Sequence, residues 1–435
     1  MNSLFRHTSG KAAAVAASFL VTENMISYKS EDRRSSYKSR HLSFFQNGNH
    51  ASVTSCEAKK EEPIPSSQPG VKLLFLGSGS STGCPKPICA LTFPDRLKDG
   101  LTEKDSKFLQ TLRDNIGEKC TVSAKANIGD PKRNRNYRNN PSLLISHRNN
   151  DAPDRNDSDE QKTDTDDLQN VIIDVGKTFR EGALRWMPHH GIHSVDAVVL
   201  THEHADAILG LDDLRGFQIA SYMLSKGKSK LSSNSPSDYA NLHSNPLPIF
   251  LSPLCYETVK KVFSYLVPKE PRKEKNDDKK VVRHVAALNF QTVSFFEPFY
   301  AAGLKMIPLP VKHGEDLICN GYAFSVKSDD KKKKATNVVY LSDISRMIPE
   351  TEKFILEQLQ PTDVLVIDSL LVDRAHPVHF SLDQAIELAS KLKAKQTYIV
   401  GINCDDFPEH DVANELIRKK NPNVQLAYDG LAIEI

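Results

Sequence analysis

The segment VVLTHEHADAILGLDDLRGF, residues 198–217, constrains this chain more than any other part of its sequence. An apolar run of strand length ends there in His202, His204 and Asp206, which follow one another at two-residue spacing. Imidazole and carboxylate groups are the ligands that zinc and similar divalent ions prefer in proteins. A lone histidine at a strand end is usually structural, but three such side chains emerging together predict a metal site.

Two later apolar runs end in the same kinds of side chain. His313 follows the run in LPVKHG, and Asp343 follows the run in VVYLSD. Either residue alone would be weak evidence for a metal site. Because both stand at the ends of apolar runs that come after the first cluster, we expect them to converge on the same site from elsewhere in the sheet.

The distribution of apolar residues predicts an α/β protein with much β-structure. Runs of strand length lie at residues 71–77, 170–176, 196–202, 247–252, 304–314, 337–343, 364–369 and 396–403. Helical patterns lie at residues 214–224, 252–266, 351–360 and 380–394. In the last of these helices, Ser381 is expected to be the N-cap.

Residues 1–70 are predicted to be a disordered leader and linker. Residues 1–56 contain seven Lys and Arg, three acidic residues and 11 serines, a composition typical of an organellar transit peptide. A secretory signal peptide and a leader without any targeting signal are the open alternatives. The folded domain is expected at residues 71–435, with exposed polar insertions. These insertions lie near residues 147–167, 225–238, 269–280 and 328–334.

Charge and cysteine content narrow the classes of partner and compartment. Lys and Arg number 57 against 55 Asp and Glu, a net charge of +2 that is too balanced for binding nucleic acid through a global basic field. Seven scattered cysteines favour free thiols in a reducing, intracellular compartment, either the cytoplasm or, if the leader is an address, a plastid or mitochondrion. The longest apolar run near the start has 10 residues, whereas a membrane-spanning helix needs about 20, so no membrane partner is expected.

Several motifs together resemble the metallo-β-lactamase superfamily and cover nearly all of residues 71–435. They are FLGSGSSTGCP, DPKRNRNYRNNPSLLI, NVIIDVG, THEHAD with GLDDLR, VKHG, YLSD and the closing HPVHFSLDQAIELASKLKAKQTY. The closest resemblance is to the branch of cyclic-phosphate phosphodiesterases of phosphonate metabolism, with the tRNA 3′-processing endonucleases further off. The resemblance implies a four-layer αβ/βα sandwich with metals at one edge between the sheets.

The resemblance also implies a role for each candidate residue. It implies that the first metal is held by three imidazoles, those of His202, His204 and His313. Asp343 would bridge to a second metal, and Asp206 would bind that second metal and position the attacking water. Asp174, in IIDVG, would brace the ligand loop from behind.

Two departures from the family pattern concern the second metal. The family motif is usually HxHxDH, but its last histidine is Ala207 here, and the family's final histidine ligand falls at about Gly401. The sequence therefore favours one tightly held zinc and a weak second ion, for which oxygen ligands would prefer manganese or magnesium. Loss of activity is one open alternative. Another is a second site rebuilt from Asp206 with one of three later residues, Cys404, Asp405 or His410.

The segment HPVHFSL offers two histidines that could protonate a leaving oxygen, a step for which histidine suits neutral pH. In the resembling phosphodiesterases and endonucleases, a histidine near this position has that role. We favour His379 and keep His376 as the alternative. Helix capping or a surface position is the structural alternative for both.

Three cysteines, Cys84, Cys89 and Cys120, lie where relatives often carry extra cysteines that sometimes bind a structural zinc. The spacing of Cys84 and Cys89 is compatible with a metal site, but no clear second pair follows them. Free thiols are therefore the preferred interpretation.

Taken together, these features predict a metal-dependent hydrolase, a phosphodiesterase that uses metal-activated water. Asp206 would position the water, and His379 would protonate the departing alcohol. The alternative is a non-catalytic metal-binding scaffold or binding protein on the same fold. The expected substrate is a small-molecule or nucleotide phosphodiester. A nucleic acid is an open alternative that no RNA-binding arm supports, and the oligomeric state stays open.

The leader prediction has a direct test. We expect a shortened chain that starts at Val71 to fold like the full chain, because residues 1–56 carry too little periodic apolar content to contribute to a core. The measurements are solubility and the thermal unfolding midpoint of both chains. An insoluble shortened chain beside a well-folded full chain would show that the leader is part of the domain.

Overall fold

The computed structural model describes residues 70–91, 121–148, 168–225, 243–267, 285–330 and 332–435, and all of these belong to one compact unit. The leader and linker predicted at residues 1–70 lie outside the described residues except for Gly70. The insertion at 269–280 also lies outside them, as do most of those at 147–167 and 225–238. The described part of the fourth insertion, at 328–334, is a surface connection between two strands.

Seven strands form the first sheet in the described part of the chain. They are β1 (Lys72–Gly77), β2 (Ser142–Arg148), β3 (Leu168–Ile173), β4 (Ala197–Val199), β5 (Leu247–Leu251), β6 (Leu288–Thr292) and β15 (Ala432–Glu434). Their order in the sheet is β15-β1-β2-β3-β4-β5-β6. The pairs from β15 to β3 are antiparallel, and the pairs from β3 to β6 are parallel.

The second sheet repeats this plan. Its strands in the described ranges are β7 (Phe299–Ala301), β8 (Leu304–His313), β9 (Leu317–Val326), β10 (Thr336–Leu341), β11 (Arg346–Met347), β12 (Val364–Asp368), β13 (Gln396–Val400) and β14 (Val424–Leu426). The order is β11-β8-β9-β10-β12-β13-β14, with β7 beside β8. Pairing is antiparallel up to β10 and parallel from β10 through β12 and β13 to β14.

Helices cover the outer face of each sheet. They are α1 (Pro87–Leu91), α2 (Thr121–Ala126), α3 (Phe179–Trp186), α4 (Ala205–Ile208), α5 (Leu214–Ser225), α6 (Pro253–Val262), α7 (Pro349–Gln358), α8 (Leu382–Lys391) and α9 (His410–Lys420). Two apolar cores lie between helices and sheets, and a third lies between the two sheets. This is the four-layer αβ/βα sandwich, so the predicted fold class is confirmed. Among the described residues, no helix combines the length and the apolar character that crossing a bilayer requires.

Central parallel strands are buried on both faces because one face meets the helices and the other meets the opposite sheet. In β12 every residue from Val364 to Asp368 is buried, and in β3 the same holds from Asn170 to Ile173. Strands of this kind carry continuous apolar runs instead of alternating ones. For that reason these strands could be predicted from the sequence.

The parallel strands carry polar residues to one edge of the sandwich. Asp174 follows β3 directly, and His202 comes shortly after β4. On the other sheet, Asp343 comes shortly after β10, and Asp368 is the last residue of β12. Parallel strands end on the same side of a sheet, so these four side chains share one rim.

Two hydrogen bonds join the sheets directly beneath this rim. The backbone amide of Asn320 donates to the carbonyl oxygen of Thr201 over 2.9 Å. The hydroxyl of Tyr322 donates to the carbonyl oxygen of Leu200 over 2.7 Å. Residues that come from separate sheets are therefore fixed relative to each other at the point where the functional side chains begin.

Helix α8 begins at a capping box, two residues after His379. The hydroxyl of Ser381 accepts a hydrogen bond from the amide of Gln384, and the side-chain oxygen of Gln384 accepts one from the amide of Ser381. The N-cap predicted at Ser381 is thus present.

We expect Ser381→Ala to lower the free energy of unfolding by about 1 kcal/mol, because it leaves a helix N-terminal amide without its partner. Ser390→Ala on the same helix is the matched control. Its hydroxyl donates only to the Ile386 carbonyl on the exposed face, so the change should stay within about 0.5 kcal/mol. Denaturant unfolding of the two variants measures the difference, and equal losses would argue against the cap.

Candidate metal centre

Three imidazoles meet at the rim between the sheets. His202 and His204 come from the loop between β4 and α4, and His313 is the last residue of β8. The ring centroids lie 4.6 Å apart for His202 and His204, and 5.4 Å and 5.2 Å from these two rings to His313. One nitrogen from each ring lies within 4.8 Å of the others, close enough for all three to bind one ion.

Hydrogen bonds fix which nitrogen of His202 faces the centre. Asp174 accepts two hydrogen bonds from Thr201, one from its amide and one from its hydroxyl, each 2.8 Å long. Because that hydroxyl donates its proton to Asp174, it can only accept from Nδ1 of His202, which lies 2.8 Å away. The remaining Nε2 is buried and has no hydrogen-bond partner in the described residues. The bracing role of Asp174 behind the ligand loop stays a prediction, for which these hydrogen bonds offer a physical basis.

His313 is oriented in the same way from the other sheet. Its Nδ1 lies 2.7 Å from the carbonyl oxygen of Val378, which can only accept. Nδ1 therefore carries the proton, and Nε2 is left as the ligand atom. A backbone carbonyl behind a ligand histidine is a common way to fix its tautomer and raise its basicity.

Two carboxylates complete the surroundings of the imidazoles. Asp206 is buried in α4, and burial together with the nearby Asp343 raises the pKa of its carboxyl group. Asp343 is also buried, and its backbone φ of 53° lies in the left-handed region that few side chains adopt. Gly176 is required beside Asp206, because a Cβ there would lie 1.8 Å from the Asp206 carbonyl oxygen.

The residues present fit a divalent cation. Burial lowers the pKa of His202 to about 3, so its imidazole is neutral and offers a lone pair. Two buried carboxylates held near each other repel unless a cation lies between them. The three converging imidazoles, the orphaned Nε2 atom of His202 and the two buried carboxylates are what a metal centre requires.

A second group of possible ligands contains His379. Atoms of His313, Asp343 and His379 also lie within 4.8 Å of one another. Nδ1 of His379 is 2.6 Å from Oδ2 of Asp368, which is wholly buried. Burial alone would lower the pKa of His379, but the charge and hydrogen bond of Asp368 outweigh it and raise that pKa to about 9. His379 therefore holds a proton beside the imidazole group.

His376, the alternative to His379, lies further out. Its ring centroid is 5.4 Å from that of His379, and its Nδ1 accepts a long hydrogen bond of 3.4 Å from the Val378 amide. Burial and the positive neighbour His379 lower its pKa. Neither ligand group in the described residues includes His376.

The two departures from the family pattern have physical counterparts. Ala207 is buried in α4 and its carbonyl oxygen accepts from the Val175 amide. Gly401 has a φ of 75°, and a Cβ built on it would lie 1.8 Å from Oδ1 of Asp368. While Asp368 holds His379, no side chain fits at position 401.

The three residues considered as replacement ligands lie in neither ligand group of the described residues. Cys404 contacts the hydroxyl of Ser123, and Asp405 forms an ion pair with a lysine. The Nε2 atom of His410 is 3.0 Å from the side-chain nitrogen of Asn414. The structure therefore does not bring these residues to the centre.

Asp368 is the residue that the sequence reading missed. In VLVIDS an aspartate follows the apolar residues, just as in IIDVG and YLSD, so a signal was present. A single carboxylate at a strand end, without a histidine beside it in the sequence, does not reveal which imidazole it holds.

Known proteins provide an independent comparison. A family model described as the beta-lactamase superfamily domain matches residues 169–402, more than half of the chain. The crystal structure of a diphosphatase from the PhnP family is 26% identical with a TM-score of 0.52, over 84% of this chain and 97% of that one. The short form of human tRNase Z is 12% identical with a TM-score of 0.41, over 84% of this chain and 99% of that one.

A curated relative is an octanoyltransferase from Porphyromonas gingivalis. It is 25% identical over 267 residues, which are 61% of this chain. The match spans only 42% of the length of that relative.

We expect His202→Ala or His313→Ala to remove most of the bound metal, because each change deletes one of the three converging imidazoles. His376→Ala, which changes a nearby histidine outside both ligand groups, is the control and should keep its metal. Elemental analysis after dialysis measures metal per chain. Full metal content in both ligand variants would rule out this assignment.

Proposed function

The chain belongs to the beta-lactamase superfamily, and from this premise we propose that it is a metal-dependent phosphodiesterase. The observation that carries the proposal is the meeting of three imidazoles, two of them oriented by hydrogen bonds, with two buried carboxylates and the His379–Asp368 pair at one rim. Binding a metal needs only the imidazoles and the carboxylates. Cleavage of an ester also needs a proton donor beside them.

We assign one tight zinc ion to the imidazoles of His202, His204 and His313. When bound, such an ion lowers the pKa of water to about 7 and polarises a phosphoryl oxygen. Asp343 faces the same space and can hold the ion or a weaker second one. Because position 207 supplies only a methyl group and position 401 no side chain, a second ion would rest on oxygen ligands, which favour manganese or magnesium.

Asp206 is assigned to the attacking water. Its buried carboxylate lies beside the imidazoles and can accept a hydrogen bond from that water at a side-chain oxygen. This contact would orient a lone pair of the water toward phosphorus and receive the proton as attack proceeds.

His379 is assigned to the leaving oxygen. Asp368 holds its Nδ1, which leaves the proton on Nε2 to be donated to the departing alkoxide. Alcohols are poor leaving groups, so donation at this atom lowers the barrier for the P–O bond to break.

Similarity to a known enzyme supports a phosphorus substrate. The diphosphatase of the PhnP family shares 26% of its residues with this chain and has a TM-score of 0.52. We therefore propose a small-molecule or nucleotide phosphodiester as substrate. We also propose an intracellular location, because the five cysteines that the structure describes are free thiols; an organellar address stays a prediction from residues 1–70.

A non-catalytic scaffold is the second candidate. Ala207 and Gly401 favour it, because both lack the imidazoles that the family's second metal normally uses. On this hypothesis the chain would bind metal and hydrolyse nothing.

Two substrates with different leaving groups separate these hypotheses. Bis(p-nitrophenyl) phosphate releases a stable phenolate, whereas a nucleoside 2′,3′-cyclic phosphate releases an alkoxide that needs a proton. We expect the zinc- or manganese-loaded chain to hydrolyse both. His379→Asn should reduce kcat for the cyclic phosphate by about 100-fold or more, with a much smaller loss for the phenyl ester.

His376→Asn is the matched control and should keep both activities within a few-fold. Metal content is measured in every variant, so that loss of acid catalysis is distinguished from loss of the ion. No turnover of either ester with zinc, manganese or magnesium would favour the scaffold. Equal losses on both esters in His379→Asn would contradict its role as proton donor.

A further inference from the structure

Three cysteines from distant parts of the sequence meet in a buried cluster outside the metal centre. Cys84 follows the loop after β1, Cys89 lies in α1, and Cys404 follows β13. Each is at most 2% exposed, and Cys84 and Cys404 pack against Val122 and Ala126 of α2. The thiol cluster, as we name these three residues, plays no part in the proposed hydrolysis.

One hydroxyl group contacts two of the sulfur atoms. The hydroxyl of Ser123 lies 3.2 Å from Sγ of Cys404 and 3.9 Å from Sγ of Cys84. Cys84 and Cys404 also belong to the same buried cluster, and both Cys84 and Cys89 lie close enough to Cys404 to influence the pKa of its thiol. The described residues offer two groups with ligand atoms close enough for a metal, and the thiol cluster forms neither of them.

A buried positive charge without a hydrogen-bond partner in the described residues lies against this cluster. Arg138 is fully buried and joined to Cys84 through two backbone hydrogen bonds of 2.8 Å and 2.9 Å. None of its guanidinium nitrogens has a hydrogen-bond partner within the described ranges. The nearby carboxylate of Asp429 instead accepts from Ser78 and from the amide of Asn139.

A buried guanidinium requires an anion close to it, since burying an isolated charge is costly. The Asp429 carboxylate and the sulfur atoms of Cys84 and Cys404 are the groups near Arg138 that can carry that negative charge. The hydrogen bonds that Cys404 receives from Cys84 and Cys89, and the positive Lys86, lower the pKa of the Cys404 thiol. Cys255 and Cys319 differ, because burial raises the pKa of both thiols and each faces carboxylates.

We propose that Cys84 and Cys404 are an oxidisable pair that closes to a disulfide under hydrogen peroxide. The Cys404 thiolate attacks one peroxide oxygen, the O–O bond breaks, and a sulfenic acid and hydroxide form. The sulfur of Cys84 then attacks the sulfur of Cys404, so that an S–S bond replaces the S–O bond. The proton of Cys84 leaves with that oxygen as water. Two electrons pass from the two sulfurs to the peroxide, and a dithiol reductant returns them.

The crosslink would join loops that already touch. The amide of Ser80 donates to the carbonyl of Ile402, and the amide of Ile402 donates to the carbonyl of Ser78. A disulfide between Cys84 and Cys404 closes a very long loop, which restricts the unfolded chain strongly. We therefore expect the oxidised protein to unfold at a temperature about 5 °C higher.

The experiment uses the full chain loaded with zinc. The protein is treated with hydrogen peroxide, unreacted thiols are alkylated in denaturant, and peptides are mapped by mass spectrometry without reduction. We expect a peptide pair linked through Cys84 and Cys404, with Cys255 and Cys319 alkylated. The link and the rise in unfolding temperature should disappear in Cys404→Ser and persist in the matched variant Cys255→Ser.

Three results would overturn the proposal. One is alkylation of Cys84 and Cys404 to the same extent as Cys255 after oxidation. Another is a link that joins Cys404 to Cys89 instead of Cys84. The third is extra zinc that protects the thiol cluster from peroxide and is lost in Cys404→Ser.

Discussion

One buried carboxylate holds the functional rim together. Asp174 stands directly after β3 with a left-handed φ of 62°, and from there it binds both the amide and the hydroxyl of Thr201. Thr201 in turn orients His202 and accepts the amide of Asn320 from the opposite sheet. Thr201 thus links Asp174 after β3, the His202 ring and strand β9 of the opposite sheet. Asp174 fixes the side chain of Thr201, and through it the orientation of the His202 ring.

The part of the rim around positions 207 and 401 departs from the family pattern. Where the family places imidazoles for another ion, this chain has a methyl group at Ala207 and a glycine at position 401. The Asp368 carboxylate approaches Gly401 so closely that the absence of a side chain there is a steric requirement. A protonated His379 held by Asp368 lies beside the ligands. The glycine at position 401 therefore makes room for Asp368, and Asp368 binds His379.

Strands that are buried on both faces could be predicted from the sequence. Elements with interrupted or mostly polar patterns, and hydrogen bonds between distant residues, could not. Strands such as β3 and β12 carry unbroken apolar runs and were predicted. Strand β9, LICNGYAFSV, was missed because Asn320 and Gly321 interrupt its apolar pattern, and helix α9 was missed because its residues are mostly polar. The ligand residues could be proposed from strand ends and from the resemblance. The hydrogen bonds that select Nε2 of His202 and His313 could not, because they link residues that are distant in sequence or depend on the fold of a loop.

The hydrogen bond between His313 and the carbonyl of Val378 lies in the same short loop as His379. Val378 precedes His379, so the segment that orients the proposed metal ligand His313 also carries the proposed proton donor. Any outward swing of this segment would release the back of the His313 ring at the same moment as it withdrew the acid. The loop is consequently unsuited to act as a gate for departing product. Within the described residues, this arrangement keeps the proposed metal ligand and the proposed proton donor in place together.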